Sequence, residues 1–128
     1  MNVNPVQSFV AGAALVNARQ TKLNAQGRLV YTGAGEAPLG STVQDYAENF
    51  AADIHLHNAG GQHYVTQGDA VNVVPGDRLT TGADGRVVKA AAGAEFFFTA
   101  TEPSGGQDSI FRAAPTHGQT QPAPAPEA

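Results

Sequence analysis

Three of the four histidines are His55, His57 and His63, and their type and spacing come closest in this chain to metal chemistry. A neutral imidazole is a common ligand for zinc and other divalent ions. Extended backbone puts His55 and His57 on one face of a strand. Asn58 to Gly61 then reads as a turn and Gln62 to Thr66 as the returning strand. A three-residue loop at 59–61 makes His57 face His63. A loop of 59–60, or of 58–61, puts His63 on the opposite face with Leu56. Asp53 and Asp69 are the carboxylates close enough in sequence to join such a set, and neither is an obvious fourth ligand. The expectation is therefore surface-facing strand histidines, with no metal and no cofactor.

Other catalytic sets are thinner still. Ser41, His63 and Asp69 supply the residue types of a hydrolytic triad, but there is no G-x-S-x-G and no P-loop to mark a nucleophile or a phosphate site. Residues 33–40, GAGEAPLG, lack dinucleotide-binding spacing and read as a β turn or bulge. Asp77 and Asp84 each stand beside a glycine, where an Asp side chain caps turn backbone. There is no cysteine, which excludes disulfides, thiolate metal sites and a Cys nucleophile. The chain is not expected to be an enzyme.

The elements that must carry these residues are mostly strands. The 128 residues suffice for one domain, and 15 Gly and 8 Pro turn the backbone often. Only 14% of residues are charged and the net charge is −4, which argues against nucleic-acid binding. The most apolar N-terminal run, Phe9 to Val16, is too short to span a bilayer and follows no basic segment. Neither a membrane partner nor a signal peptide is expected, and synthesis is expected in the cytoplasm.

Taken in order, residues 1–8 read as an extended arm, 9–114 as a single β-rich domain, and 115–128, with their Pro-Ala alternation, as a disordered tail. Strands are expected at 27–31, 54–57, 62–66, 95–101 and 109–113. The stretch from Val71 to Lys89 reads strand, turn, short strand, turn, strand, with Pro75-Gly76-Asp77 and Ala83-Asp84-Gly85 as the turns. At most one short helix is expected, at about 42–52. Val43, Tyr46, Ala47, Phe50 and Ala51 share a helical face there, behind a Ser41–Gln44 capping box.

An internal repeat frames these elements. Gly27-Arg28-Leu29-Val30 matches Gly85-Arg86-Val87-Val88, an offset of 58 residues from Gly27 to Gly85. The offset also aligns Gly35 with Gly93 and Leu39 with Phe97. Each copy then runs on to a further strand, Ile54-His55-Leu56 in one and Ile110-Phe111-Arg112 in the other. The fold class that follows is mainly β, a small barrel- or sandwich-like domain made from two related β units. Phe96, Phe97 and Phe98 cannot all face one side of a strand, so at least one needs a second apolar environment: another layer or a subunit partner. Val3, Pro5, Val6 and Phe9 put apolar side chains on the arm. These seven residues are the candidate contacts with a partner.

The order of motifs has a known parallel. A G-R-hydrophobic-V strand leads to PLGSTVQDYA (38–47), then to AVNVVPGDRLTTGADGRVVKAAAG (70–93), an aromatic strand and a last strand. This resembles the head decoration, or capsid cement, proteins of tailed bacteriophages, over roughly residues 9–114. The resemblance implies a non-enzymatic β-rich protein on the outside of an assembled capsid, made in the host cytoplasm, with the major capsid protein as partner. It also implies homotrimers at three-fold or quasi-three-fold positions that stabilise the shell, with an N-terminal arm, here Met1 to Phe9, touching it. The other reading is a carbohydrate- or protein-binding module of a phage tail or surface complex.

Overall fold

A computed structural model describes residues 6–59, 61–69 and 71–120. Its strands are β1 (Val6–Val10), β2 (Gln20–Leu23), β3 (Leu29–Tyr31), β4 (Gly40–Thr42), β5 (Ala51–Leu56), β6 (His63–Thr66), β7 (Arg78–Thr81), β8 (Val87–Lys89), β9 (Glu95–Ala100) and β10 (Ile110–Thr120). Short 3₁₀ turns lie at His57–Ala59 and Ala83–Gly85. The first five strands form one antiparallel sheet in the order β1-β5-β4-β2-β3. The last five form another, β6-β10-β9-β7-β8. Adding five to each label of the first order yields the second, so the repeat is a duplicated five-stranded unit.

The duplication extends to individual hydrogen bonds. Thr42 N donates to Arg19 O at 2.9 Å, and Ala100 N to Asp77 O at 2.8 Å. Thr32 N donates to Gln20 O at 3.1 Å, and Ala90 N to Arg78 O at 2.9 Å. Tyr46 N donates to Leu15 O at 2.8 Å, and Ser104 N to Val73 O at 3.0 Å. A side-chain pair recurs as well: the Arg28 guanidinium reaches Asn49 Oδ1 at 2.7 Å, as Arg86 reaches Asp108 Oδ1 at 2.7 Å.

Each unit closes on itself. A parallel bridge from Ala11 to Leu29 joins the end of β1 to β3, the two outer strands of the first sheet, and Gln67 to Val87 does the same in the second. Both closures pass a glycine. A Cβ on Gly12 would sit 3.1 Å from Arg28 Cβ and Val30 Cγ1, and one on Gly68 would sit 3.0 Å from Arg86 Cβ and 3.1 Å from Val88 Cγ1. Small closed barrels leave no long strand edge open. Each also has its own core. Ala11, Leu15, Leu29, Ala52 and Ile54 fill the first, with Phe9 and Tyr46 packed against them. Val65, Val73, Leu79, Val87, Phe97, Phe98, Ala100, Phe111 and Ala113 fill the second.

Several local expectations change. The helix at 42–52 is not formed. Ser41 and Thr42 are strand residues only 2% exposed, while Val43 and Phe50 are 47% and 68% exposed. The backbone of this segment is satisfied in part by bonds to Arg19 and Leu15 instead. Ile54–His57 and Gln62–Thr66 do not pair as a hairpin. Leu56 ends a strand of the first unit and His63 begins one of the second, because the unit boundary falls between them. Val71 to Val74 is not a strand, although Val73 is buried. Residues 6–8, assigned to the arm, belong to β1, and 115–120, assigned to the tail, belong to β10. Pro115 is accommodated by a register shift between it and Gln119, where no regular ladder donor is needed. Residues 1–5 and 121–128 lie outside the described residues.

The two units meet through the second unit's β7–β8 turn, which inserts against β2 and β3. Gly85 N donates to Thr32 O at 3.1 Å, Gly35 N to Thr81 O at 3.0 Å, and Thr81 Oγ1 to Glu36 O at 2.7 Å. Gly85 and its repeat counterpart Gly27 share a left-handed φ, 72° and 76°. A Cβ on Gly85 would lie 2.5 Å from Gln20 O, whereas nothing stands within 4 Å of one on Gly27. Gly27→Ala should therefore cost about 1 kcal/mol, the backbone strain alone. Gly85→Ala should cost about 2–4 kcal/mol, because overpacking is added. Urea denaturation of the two variants checks this, and equal losses would disprove the tight insertion.

Candidate functional site

The seam between the units is lined by polar side chains. Gln20, Ser41, Thr42, His63, Thr66 and Thr81 are at most 3% exposed. Ser41, His63, Thr66 and Thr81 make hydrogen bonds that cross from one unit to the other, while Gln20 and Thr42 bond within the first. Thr66 Oγ1 donates to Ala18 O at 2.9 Å. Ser41 Oγ lies 2.8 Å from His63 Nδ1, and Gln20 Nε2 donates to Ser41 Oγ at 3.0 Å. Register explains this set. Gln20 pairs with Ser41 and Ser41 with His55, so all three side chains leave the sheet on the same face, toward β6.

His63 is the centre of the seam. Its ring stacks on His55 with centroids 3.9 Å apart and planes 6° apart. His57 lies 5.9 Å away, and its Nε2 is 2.7 Å from Thr116 O. Phe98 presents edge contacts to both, at 4.8 Å from His57 and 5.7 Å from His63. The three histidines singled out in the sequence thus come together, but by a crossing between units and not by a hairpin. His63 is 1% exposed, which overturns a surface position for it. Stacked rings hold their lone pairs in parallel planes, so one ion cannot lie in the planes of both His55 and His63. Among the described residues, no group of three or more His, Asp or Glu side chains is placed to hold a metal. Asp69 sits with Gln67, whose Nε2 donates to its backbone O at 2.6 Å, and takes no part in the Ser41–His63 pair.

Burial, reinforced by the neighbouring His55 and His57, pushes the His63 imidazole down from 6.5 to about 3. His63 Nε2 is buried without a hydrogen-bond partner. A neutral ring tolerates that, and a cation would not. At the other end of the seam, the Lys22 ammonium, 2.6 Å from Glu36 Oε2, and the Gly33 N–H hold the Glu36 carboxyl below its usual range.

Beside the histidines a pocket of about 480 Å³ opens to solvent, lined by Asn17, Ser41, Thr42, Val43, His55, Gln62, Tyr64 and Ile110. Val43, Tyr64 and Ile110 form an apolar rim, 47%, 58% and 50% exposed. No sequence signal pointed to this pocket, because its walls come from both units. The candidate contacts of the sequence fall elsewhere. Phe96, Phe97 and Phe98 are 2%, 3% and 0% exposed, so none of them is free to meet a partner. β9 is an inner strand between β10 and β7, and the Arg78 guanidinium covers the Phe96 ring at 4.9 Å. Phe9 packs on the core of its own unit. Val6 opens β1, and Val3 and Pro5 lie outside the described residues.

The His63 ring sets a pH dependence. The unfolded chain binds a proton at His63 below about 6.5 while the folded chain resists it down to about 3, so stability is complete above that window and falls as pH drops through it. The urea midpoint of the wild type should fall between pH 7 and pH 5, and His63→Asn should flatten that fall. The same pH difference in both proteins would remove His63 as its source.

No family model and no curated protein matches this sequence. Among solved structures, the chain is similar to the crystal structure of the head fibre gp8.5 N base of bacteriophage phi29. The TM-score is 0.72 at 16% sequence identity, over 91% of this chain and 97% of that one. At that identity the likeness is one of fold, and it takes in both units.

Proposed function

We propose that this chain is a structural protein of a phage virion, a decoration protein that binds the outer surface of the assembled capsid and stabilises it. The observation that carries this reading is the near-complete overlap in fold with a base of a phage head fibre. The order of sequence motifs, which resembles head decoration proteins, supports it from a separate direction. In this reading the chain is made in the host cytoplasm, acts without catalysis or cofactor, and meets the major capsid protein as a homotrimer at three-fold or quasi-three-fold positions. Stabilisation follows from mass action, since a ligand of the closed shell that ignores its separated parts shifts the balance toward the shell. Many copies on symmetric sites add their effects.

With the phenylalanines buried, the contact falls to the surface that remains. Val6, the first residue of β1, pairs with His55, a wall of the 480 Å³ pocket. The pocket also gives the other reading its support: a module that binds a carbohydrate or peptide with no capsid present.

Cosedimentation with expanded, undecorated capsids separates these readings. The full chain should bind saturably, and a variant lacking residues 1–5 should bind more weakly with its fold intact. Equal binding by both would move the contact to the body of the domain. No binding by either would overturn the capsid reading and leave the pocket as the site to probe.

A further inference from the structure

We infer that copies of this chain join through the same surfaces that join its two units, the 23–27 turn of one copy inserting against β7 and β8 of the next. The inference deepens the trimer proposed above and rests on it only for the number of copies.

The joint between the units is asymmetric. The contact between the units is heterologous: the turn of the second unit enters the first, and the turn of the first does not enter the second. Each unit therefore uses a different half of the joint. The unused halves are both present and both exposed. Thr81 is 1% exposed in the joint, while its counterpart Leu23 is 42% exposed. Gly85 is buried against Gln20, while Gly27 has open space around it. On the receiving side, Gln20 and Thr32 are buried under the turn, while their counterparts Arg78 and Ala90 are exposed and half-buried. Gly35 gives its N–H to Thr81 O in the joint. Its counterpart Gly93 keeps the same left-handed φ, 82° against 76°, with nothing within 4 Å of a Cβ there.

Two observations indicate that a second copy fits this ground. Two bonds of the joint are backbone bonds, Gly85 N to Thr32 O and Gly35 N to Thr81 O. Such bonds survive side-chain divergence, so Gly93 N can meet Leu23 O of a neighbour, whereas Gly27 N donates to Asn24 O of its own turn at 3.0 Å and would have to exchange that bond for Ala90 O. The receiving surface beyond Arg78 is also small and apolar, Ala90-Ala91-Ala92-Gly93-Ala94, and Leu23 is the apolar side chain that would cover it. Two side-chain contacts do not carry over. Thr81 Oγ1 donates to Glu36 O at 2.7 Å in the joint, and the matching Leu23 has no hydroxyl. Arg19 Nη1 donates to Asp84 O at 3.1 Å in the joint, and the residue matching Arg19 is Asp77, which is engaged with Lys89 at 3.2 Å. The joint between copies is therefore weaker than the joint within one.

The absence of cysteine makes a covalent test clean. A Leu23→Cys, Ala94→Cys double variant should oxidise to species of more than one chain on a non-reducing denaturing gel, and either single variant should not give that series. A Thr81→Cys, Glu36→Cys protein, the matching pair within one chain, serves as the positive control and should bridge internally. Native mass of the wild type, free and eluted from capsids, gives the copy number, and Leu23→Asp should lower it. If the native mass is that of an oligomer while the Leu23–Ala94 pair stays unlinked and the control bridges, this surface is wrong and the trimer stands. A single chain under every condition, on capsids included, would overturn both.

Discussion

The fold depends on a seam that is polar and buried at once. Two barrels with separate apolar cores touch through buried hydroxyls, an amide and an imidazole. An apolar seam would tolerate sliding, since area burial has no direction. A seam of hydrogen bonds does not, because each unmade bond leaves a buried polar group that costs about 1–3 kcal/mol. Thr66 on Ala18 O, Ser41 on His63 and Gly85 on Thr32 O hold at only one relative position of the two units. The result is a rigid pair made from units that need not share a core. His63 shows the same constraint from its cost side. Its ring completes the hydrogen bond to Ser41 and the stack on His55, and in exchange it must stay neutral.

Duplication explains why this solution was available. A five-stranded unit that closes through one parallel bridge has already satisfied its own edges. Joining a second copy needs only a turn and a face to meet it. The turn of the second unit takes that role and the turn of the first remains outside, which is the signature of a head-to-tail joint. Such a joint differs in kind from a two-fold one, where both copies of each surface would be consumed.

How much of this the sequence carried depends on range. Local patterns survived well. Gly27-Arg28 and Gly85-Arg86 marked equivalent turns, and the repeat between them matched two units of identical strand order. Features that depend on the unit boundary did not survive. Alternation placed His55 and His57 on one strand face, yet His57 begins a 3₁₀ turn and His63 belongs to the other sheet. The expected helix failed because helical spacing over Val43 to Ala51 is a weak vote against paired backbone on two sides. The repeat itself held a corrective signal, since the residue 58 positions after Asp45 is Pro103, which no helix interior accepts. The phenylalanine run was ambiguous for a related reason. A strand with neighbours on both sides can bury all three rings only if something covers its second face, and Arg78 over Phe96 and His57 against Phe98 could be known only from the packing. The pocket was invisible in the sequence because Asn17, Ser41 and His55 meet Gln62, Tyr64 and Ile110 across the seam.

A protein of this build suits a task defined by position more than by chemistry. Its Ser41–His63 pair is buried between the units, where it fixes two barrels together. Its charge is low and partly held in short ion pairs such as Lys22–Glu36 and Arg86–Asp108. What remains on the outside is apolar and scattered, at Leu23, Val43, Phe50, Tyr64 and Ile110, together with two faces of a joint that the single chain leaves open. Exposed apolar groups on a weakly charged protein favour contact with other protein surfaces. A rigid seam then matters for a mechanical reason. If each chain bridges two neighbours on a shell, force applied at one barrel reaches the other only as far as the seam resists it, and hydrogen bonds confined to one register resist it in every direction.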